Sequence, residues 1–342
     1  MPSATAPAPA APPEATAPGG PVLAARLLLE EWARRPSPPL PPDHAPAADP
    51  AGADLGLPPL SSLEEALAAG IAMAALADAD ADAGAEAKGR TPGRHVGWKV
   101  GWKDVYPSRP VLCGPLFATG LLPAGSAVSL SAHRVFAAEA EYAVRLGRSL
   151  PPRPGGPPYS AAEAWAAVGE VRIALELPGA RQTRSSDPLH YVADALLGAA
   201  VVLGPIVSGR AEEGTAAPAG GGEAGADGDG DPSASLAGGR EVRLRVGDNQ
   251  VSAGTATNNP GGSPAGALAA LATELCCERG LELRAGDWVL CGHCCQATLR
   301  GRPRPPLGGA PPPEWGMAEW GGGDLLRAEF DGLGAVEATL MP

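Results

Sequence analysis

The sequence predicts an α+β protein in which a strand-rich core is flanked by helices and accompanied by disordered low-complexity segments. Three observations indicate this class. Short apolar segments bounded by Gly and Pro follow one another over residues 94–204, as is typical of strands. Apolar residues recur at helical spacing before and after them. Other tracts are dominated by Pro, Ala, Gly and acidic residues, which bury too little apolar surface to offset the entropy of ordering.

The low-complexity tracts divide the chain. Residues 1–56 are predicted to be a Pro/Ala-rich N-terminal extension that contains one helix, at 22–34, where Val, Leu and Trp return at helical spacing. Residues 57–342 are predicted to form one folded domain. Within it, a disordered insertion is expected at about 208–239, because this stretch has scarcely any large apolar side chain.

Local signals predict the remaining elements. Ser62 and Glu65 match a capping box, which predicts a helix that starts there and runs to about Leu76. Ser-Pro at 263–264 predicts the start of a late helix, and Gly280 its end. Strands are predicted at 95–100, 142–146, 173–177, 242–246, 288–291, 324–330 and 335–340.

The composition excludes several classes of function. The formal net charge is -12, and no stretch of Lys and Arg forms the basic stripe that nucleic acid or an anionic membrane requires. No window approaches the roughly 18–20 apolar residues of a membrane-spanning helix. The six cysteines include two adjacent pairs, which argues for a reducing compartment over a disulfide framework. We therefore expect a cytoplasmic protein without nucleic-acid or membrane partners.

The residues most suggestive of chemistry are carboxylates within predicted strands. Glu139 and Glu141 are two residues apart, so on a strand both face the same side, about 7 Å apart. Glu176 lies in an apolar strand, where burial without a partner is costly. Hard divalent ions such as Mg²⁺ prefer oxygen ligands, so the three glutamates form a candidate metal site. The pattern alone leaves open that all three lie in solvent on edge strands.

Lys99 lies inside the apolar run at 96–102. Burial there is expected to lower its pKa, which would suit proton transfer or anion binding. The alternative is a lysine whose charged end reaches solvent.

Two further patterns resemble metal motifs without matching them. Cys-Gly-His-Cys-Cys at 291–295 offers the soft ligands that zinc prefers, but only the adjacent Cys276 and Cys277 remain to complete a closed site. Alternate aspartates at 78–82 resemble the opening of a calcium loop, but the Gly and Glu that such a loop requires do not follow at the right positions. The motifs of serine hydrolases and nucleotide-binding proteins do not occur. The carboxylate site is therefore the main candidate.

Several segments carry a recognisable family pattern in order and spacing. They are Gly-Trp-Lys-Val-Gly at 97–101, Gly-Pro-Leu-Phe at 114–117, Glu-Ala-Glu at 139–141, Ala-Leu-Glu at 174–176 with Arg181, Val-Ala-Asp at 192–194, the Gly-Asp turn within 283–290 and the closing strand at 330–340. Together they resemble the 2-keto-4-pentenoate hydratase (2-oxopent-4-enoate hydratase) family of the fumarylacetoacetate hydrolase superfamily. The resemblance covers about residues 57–340.

The resemblance implies a fold and a metal. The fold would be a mixed β-sheet roll of the fumarylacetoacetase C-terminal type, flanked by helices, with the metal in the mouth of the roll. Glu139, Glu141 and Glu176 would be the ligands of Mg²⁺ or Mn²⁺. Homo-oligomers would be common.

The resemblance also implies a substrate site. Lys99 and Asp194 would be catalytic, Lys99 by placing or moving a proton and Asp194 by positioning or activating water. Arg181 and Phe117 would bind the small 2-oxo acid. The implied reaction is the metal-dependent addition of water to a 2-hydroxy-2,4-dienoate, which gives a 4-hydroxy-2-oxo acid and makes the enzyme a lyase.

Departures from the family pattern keep other functions open. Ala195 stands where the family has Asn after the aspartate, and Gly-Ser-Pro at 262–264 stands where it has Gly-His-Pro. Both changes remove polar groups that orient substrate or water. The alternatives are a 2-oxo diacid decarboxylase, an acylpyruvate-type C–C hydrolase on the same metal site, and a protein that binds a 2-oxo acid with little turnover.

Overall fold

The structure, a computed structural model, describes residues 20–33, 55, 57–84, 93–101, 111–181, 188–209, 232–299, 316–318 and 320–342. Its α-helices are α1 (Gly20–Ala33), α2 (Leu63–Asp82), α3 (Ala161–Trp165), α4 (Pro188–Ala193), α5 (Ala234–Ala237) and α6 (Pro264–Ala272). Its strands are β1 (His95–Gly101), β2 (Leu112–Phe117), β3 (Leu121–Pro123), β4 (Ala127–Ser129), β5 (Ala137–Leu146), β6 (Val168–Leu177), β7 (Ala200–Gly209), β8 (Val242–Val246), β9 (Asn249–Gly254), β10 (Trp288–Leu299), β11 (Gly316–Ala318), β12 (Leu325–Phe330) and β13 (Gly334–Met341).

The strands form two mixed sheets. The larger sheet has the order β2-β1-β10-β5-β6-β7-β3, with β11 pairing with β10, and the smaller has the order β4-β13-β12-β8-β9. Strand β5 is buried at nearly every position because both faces of the larger sheet are covered. Along β8, β12 and β13, buried and partly exposed residues alternate, so one face of the smaller sheet packs on the core. This architecture confirms the predicted α+β class with a mixed β-sheet roll.

Helix α2 starts where its sequence predicts and ends later. The Ser62 hydroxyl accepts a hydrogen bond from the Glu65 backbone N–H at 3.3 Å, but the Glu65 carboxylate binds the backbone N–H of Ser61, so the predicted capping box is only half formed. The helix continues to Asp82 through an Ala- and Asp-rich stretch. Carboxylates oppose the dipole of a helix C-terminus, and arginines offset them here. Asp78 pairs with Arg284, Asp80 with Arg26 and Asp82 with Arg94.

Other predicted elements agree closely with the structure. The N-terminal helix lies at Gly20–Ala33, and α6 begins at Pro264 with Ser263 as its N-cap. The predicted insertion at 208–239 is too wide, because β7 extends to Gly209 and α5 lies at Ala234–Ala237. The Ser233 hydroxyl accepts a hydrogen bond from the Ala265 N–H, which ties this side to α6. Residues 210–231 lie outside the described residues.

All six cysteines are buried free thiols. Among the described helices, none is both long and apolar enough to cross a membrane.

Candidate metal and substrate site

Three carboxylates converge on one face of the larger sheet. Glu139 and Glu141 come from β5 and Glu176 from β6, and one oxygen of each lies within 4.8 Å of the others. Glu139 and Glu176 are direct partners in the antiparallel register, while Glu141 lies opposite Ala174. Residues two apart on a strand and their cross-strand partners share a face, so this register brings all three together. The structure thus confirms the convergence that the spacing predicts.

The triad lies between two small apolar clusters. Ala143, two residues after Glu141, belongs to a cluster with Leu116, Ala174, Val201 and Leu290. Ala137, two residues before Glu139, belongs to a cluster with Phe136, Ala180, Tyr191 and Leu197. The carboxylates are therefore flanked along the strand by apolar walls on both sides.

Burial disfavours the charged form of two of the three carboxylates. Glu176 is fully buried and Glu141 is 1% exposed, whereas Glu139 is partly exposed. Burial raises the pKa of Glu176 to about 7, against the lowering effect of Lys99. Burial also raises the pKa of Glu141 well above its usual range, and Glu176 and Glu139 raise it further. Carboxylates that repel each other in a buried site are stabilised by a cation.

Lys99 supplies one positive charge to this site. It projects from β1, is 5% exposed and donates a hydrogen bond from Nζ to Glu176 Oε1. Burial alone would lower its pKa, but Glu176, Glu139 and Glu141 outweigh burial and raise it. The expectation of a lowered pKa is therefore wrong, because three carboxylates surround the ammonium group. Lys99 is also not the solvent-reaching lysine of the alternative interpretation.

The oxygens of the triad suit a hard divalent cation. Glu141 Oε2 accepts a hydrogen bond from the Gly292 N–H at 3.1 Å. Glu141 Oε1 and Glu176 Oε2 are buried and have no hydrogen-bond partner within the described part of the chain. Buried carboxylate oxygens without donors are destabilising unless a ligand satisfies them. An all-oxygen donor set of this kind is what Mg²⁺, Mn²⁺ and Ca²⁺ prefer.

Arg181 and Asp194 form a buried ion pair. Both side chains are 0% exposed, and Nη1 of the arginine lies 2.6 Å from Oδ1 of the aspartate. Asp194 Oδ2 also accepts a hydrogen bond from the Arg181 backbone N–H at 2.6 Å, and Arg181 Nη2 donates to Gly198 O at 2.5 Å. Burial lowers the pKa of Arg181 to about 10, against the opposing effect of Asp194. The pair adjoins the site through Gly198, which also packs against the Lys99 side chain.

An aromatic stack covers this ion pair. The Trp32 ring, from α1, lies 3.9 Å from the Arg181 guanidinium carbon and meets the Phe117 ring edge-on at 5.0 Å. Phe117 is 1% exposed and is part of the main apolar core. The structure therefore brings Arg181, Asp194 and Phe117 together with Trp32 of α1.

Two features of the site were not predicted from the sequence. Trp32 is 149 positions from Arg181, and no local signal links a helical tryptophan to a distant arginine. The Gly292 N–H that binds Glu141 lies in the segment that resembled a zinc motif. A glycine interrupting a strand pattern is a signal of a bulge or of close backbone approach, and would have drawn attention to this residue.

Solved structures resemble this chain, whereas no family model and no curated protein match it. The 4-oxalocrotonate decarboxylase from Pseudomonas putida G7, complexed with magnesium and adipate, matches with 19% identity and a TM-score of 0.57. The match covers 82% of this chain and 86% of that chain, and the calcium and acetate complex of the same enzyme gives a TM-score of 0.56. The fumarylacetoacetate hydrolase from Exiguobacterium antarcticum matches at 14% identity, 74% and 76% coverage and a TM-score of 0.46. The chain therefore shares the fold of the decarboxylase.

Proposed function

We propose that this protein is a divalent-metal-dependent enzyme acting on a small 2-oxo acid, and specifically a hydratase that converts a 2-hydroxy-2,4-dienoate to a 4-hydroxy-2-oxo acid. One observation carries the proposal: three carboxylates, two of them buried, converge within 4.8 Å on one sheet face, with Lys99 bound to one of them. The resemblance of the surrounding segments to 2-keto-4-pentenoate hydratases supports the specific reaction.

Glu139, Glu141 and Glu176 would hold Mg²⁺ or Mn²⁺. When bound, such an ion acts as a Lewis acid that stabilises negative charge developing on the oxygens of a 2-oxo acid. The fit rests on the orphaned Oε1 of Glu141 and Oε2 of Glu176, which a cation would satisfy. The partly exposed Glu139 leaves this side of the site open to a ligand.

Lys99 would hold or move the proton. Its Nζ already donates to Glu176. A charged ammonium group beside the carboxylates can bind the substrate's own carboxylate and deliver a proton to an enolate carbon. The flanking apolar clusters would exclude bulk water and so strengthen these interactions.

Arg181 and Asp194 would act on this site indirectly, by holding neighbouring groups in place. Each neutralises the other, and Trp32 covers the guanidinium, so direct contact with substrate or water requires the ion pair to open. We therefore propose that the main role of Asp194 is to orient Arg181. Arg181 in turn holds the Gly198 carbonyl beside Lys99. Phe117 would support the same layer through its contact with Trp32.

Decarboxylation of a 2-oxo diacid is the second candidate. The fold likeness to a decarboxylase whose complex holds magnesium and the dicarboxylate adipate favours it. The same carboxylates and the same lysine would serve both reactions, which differ in the bond that breaks.

The test is ultraviolet turnover of 2-hydroxypenta-2,4-dienoate with Mg²⁺, Mn²⁺ or a chelator, and in parallel of oxaloacetate and an acylpyruvate. Wild type is compared with Glu176→Gln and Lys99→Met. The matched control is Glu170→Gln, on the same strand but paired with Arg172. We expect the dienoate absorbance to disappear in a metal-dependent way with wild type and with the control. With both site variants we expect the absorbance to persist.

The other outcomes separate the alternatives. Turnover of oxaloacetate or acylpyruvate alone would keep the metal site and move the function to decarboxylation or hydrolysis. Metal-dependent binding of pyruvate or oxalate without turnover would indicate a binding protein. Activity that survives the chelator and Glu176→Gln would contradict the metal site itself.

A further inference from the structure

Strand β10 is irregular where it passes Glu141. Its register with β5 shifts between Leu290 and His293 and again between His293 and Cys295, so it carries extra residues opposite the metal-ligand strand. Gly292 lies at the centre of this bulge with a φ of +86°, a conformation that favours glycine. Bulges of this kind redirect backbone groups, and here the redirected group is the N–H that binds Glu141 Oε2.

A buried asparagine holds the other side of Gly292. Asn259, in the turn before α6, is 1% exposed and donates a hydrogen bond from Nδ2 to Gly292 O. A carbonyl oxygen only accepts, so the nitrogen of the side-chain amide must face it. Gly292 is therefore bound at its carbonyl by Asn259 and at its N–H by Glu141.

Packing leaves no room for a side chain at this glycine. A Cβ added to Gly292 would lie 2.6 Å from Pro260 Cδ and 3.4 Å from Val100 O. Pro260 directly follows Asn259, so one short segment both packs on the bulge and donates a hydrogen bond to it. Residues 259 and 260 thus both lie against the bulge at Gly292.

We propose that Asn259 is a positioning residue for Glu141, acting through Gly292. The proposal rests on the proposed function, in which Glu141 is a metal ligand. A hydrogen bond to Oε2 fixes the plane of the carboxylate and leaves Oε1 for the cation. Groups that orient metal ligands in this way affect metal affinity although they do not touch the metal.

The neighbouring asparagine provides a control that binds the same strand. Asn258 donates from Nδ2 to Cys294 O at 2.7 Å, so it binds the same strand two residues further along. It makes no hydrogen bond to Gly292 among the contacts of the described residues. Asn258 is exposed whereas Asn259 is buried, so the stability of each variant is measured beside its metal affinity. A positioning role predicts a loss of affinity in the Asn259 variants alone.

The experiment is calorimetric titration of Mn²⁺ into full-length wild type, Asn259→Ala, Asn259→Leu and Asn258→Ala, with urea unfolding of each. Leu approximates the shape of Asn, so Asn259→Leu avoids a cavity while removing the donor. We expect both Asn259 variants to bind Mn²⁺ about 10–100-fold more weakly. We expect Asn258→Ala to keep the wild-type affinity even where its stability falls as much.

Two results would overturn the inference. Wild-type Mn²⁺ affinity in the folded Asn259 variants would show that Gly292 needs no support from this side chain. An equal loss of affinity in Asn258→Ala would show that the strand as a whole, and not the Gly292 contact, is responsible. Absence of Mn²⁺ binding in wild type would instead contradict the proposed function, and the inference with it.

Discussion

His95 begins strand β1 with its ring packed edge-on against Trp98, the centroids 4.7 Å apart. Its Nε2 is buried and has no hydrogen-bond partner among the residues that the structure covers. Burial lowers its pKa from 6.5 to about 4; Asp78 opposes the shift and Arg284 adds to it. The folded protein therefore favours neutral His95 and binds fewer protons there than the unfolded chain between pH 6.5 and 4.

This shift predicts a pH-dependent stability. Because the folded pKa is depressed, the contribution of neutral His95 is fully present above pH 6.5 and is lost as the pH falls towards 4. It amounts to at most about 3 kcal/mol. In His95→Gln, which has no titrating ring, the free energy of unfolding should fall less steeply over this window. Urea unfolding of both proteins at several pH values measures this, and parallel curves would contradict the prediction.

The close packing around Gly292 predicts a loss of stability when a side chain is added there. Gly292→Ala should destabilise the protein by about 1–3 kcal/mol more than Gly286→Ala, because the new methyl group meets Pro260. Gly286 is the matched control: its φ is +94°, similar to the +86° of Gly292, but nothing lies within 4 Å of its added Cβ. The two variants share the backbone strain, so urea unfolding isolates the clash. Equal losses would contradict the packing described here.

The candidate metal ligands could be predicted because their signals are local. Two glutamates at a spacing of two on a strand necessarily share a face, and a glutamate in an apolar strand requires a partner. The pairing of Glu139 with Glu176 could not be predicted, because the register depends on how β5 and β6 meet. The raised pKa of Lys99 was missed for the same reason, since it depends on carboxylates 40 or more positions away.

At the scale of elements, helix α1 is held by contacts of different strength. Trp32 packs on Phe117 and on the Arg181 guanidinium, whereas Arg26 forms an ion pair with Asp80 at 2.9 Å that is 41% and 29% exposed. Buried aromatic contacts contribute far more stability than exposed ion pairs do. The helix is therefore held mainly by its buried apolar face, to which Trp32 contributes, and only weakly by Arg26.

This difference predicts that truncating Trp32 lowers the free energy of unfolding much more than truncating Arg26. Trp32→Ala should lower the free energy of unfolding by about 3–5 kcal/mol, because it removes a buried ring and uncovers Arg181. Arg26→Ala should cost less than about 1 kcal/mol, and added salt should screen even that. Chemical unfolding with and without 0.5 M salt (about 4 Å of screening length) tests both. A large, salt-sensitive loss in Arg26→Ala would contradict this account of α1.

Local helix signals predicted starts better than ends. Ser62 and Ser263 mark their helices because an N-cap depends only on the next few residues. The end of α2 at Asp82 places aspartates at the unfavourable end of the helix dipole, where arginines from three other segments pair with them. A distant contact also lies at the end of the predicted insertion, where Ser233, just before α5, accepts a hydrogen bond from the Ala265 N–H of α6.

At the scale of the whole molecule, the site is built from distant parts of the chain. Lys99 on β1 reaches Glu176 on β6 across the intervening strands β10 and β5. No pattern within one strand predicts such an order, so only the family resemblance predicts the roll. One consequence is that the triad exists only in the folded state, so a cation that binds it should stabilise the whole fold.

Metal removal should therefore lower the melting temperature. A ligand at 100 times its Kd that binds only the native state adds about 2.7 kcal/mol, which for a domain of this size corresponds to about 5 °C or more. We expect thermal unfolding with saturating Mn²⁺ to occur at a higher temperature than with a chelator in wild type. Glu176→Gln should lose the shift, while Glu170→Gln, on the same strand, should keep it. Because the chain carries a net charge of -12, cations also screen it non-specifically. An equal shift in all three proteins would assign the effect to that screening and not to the triad.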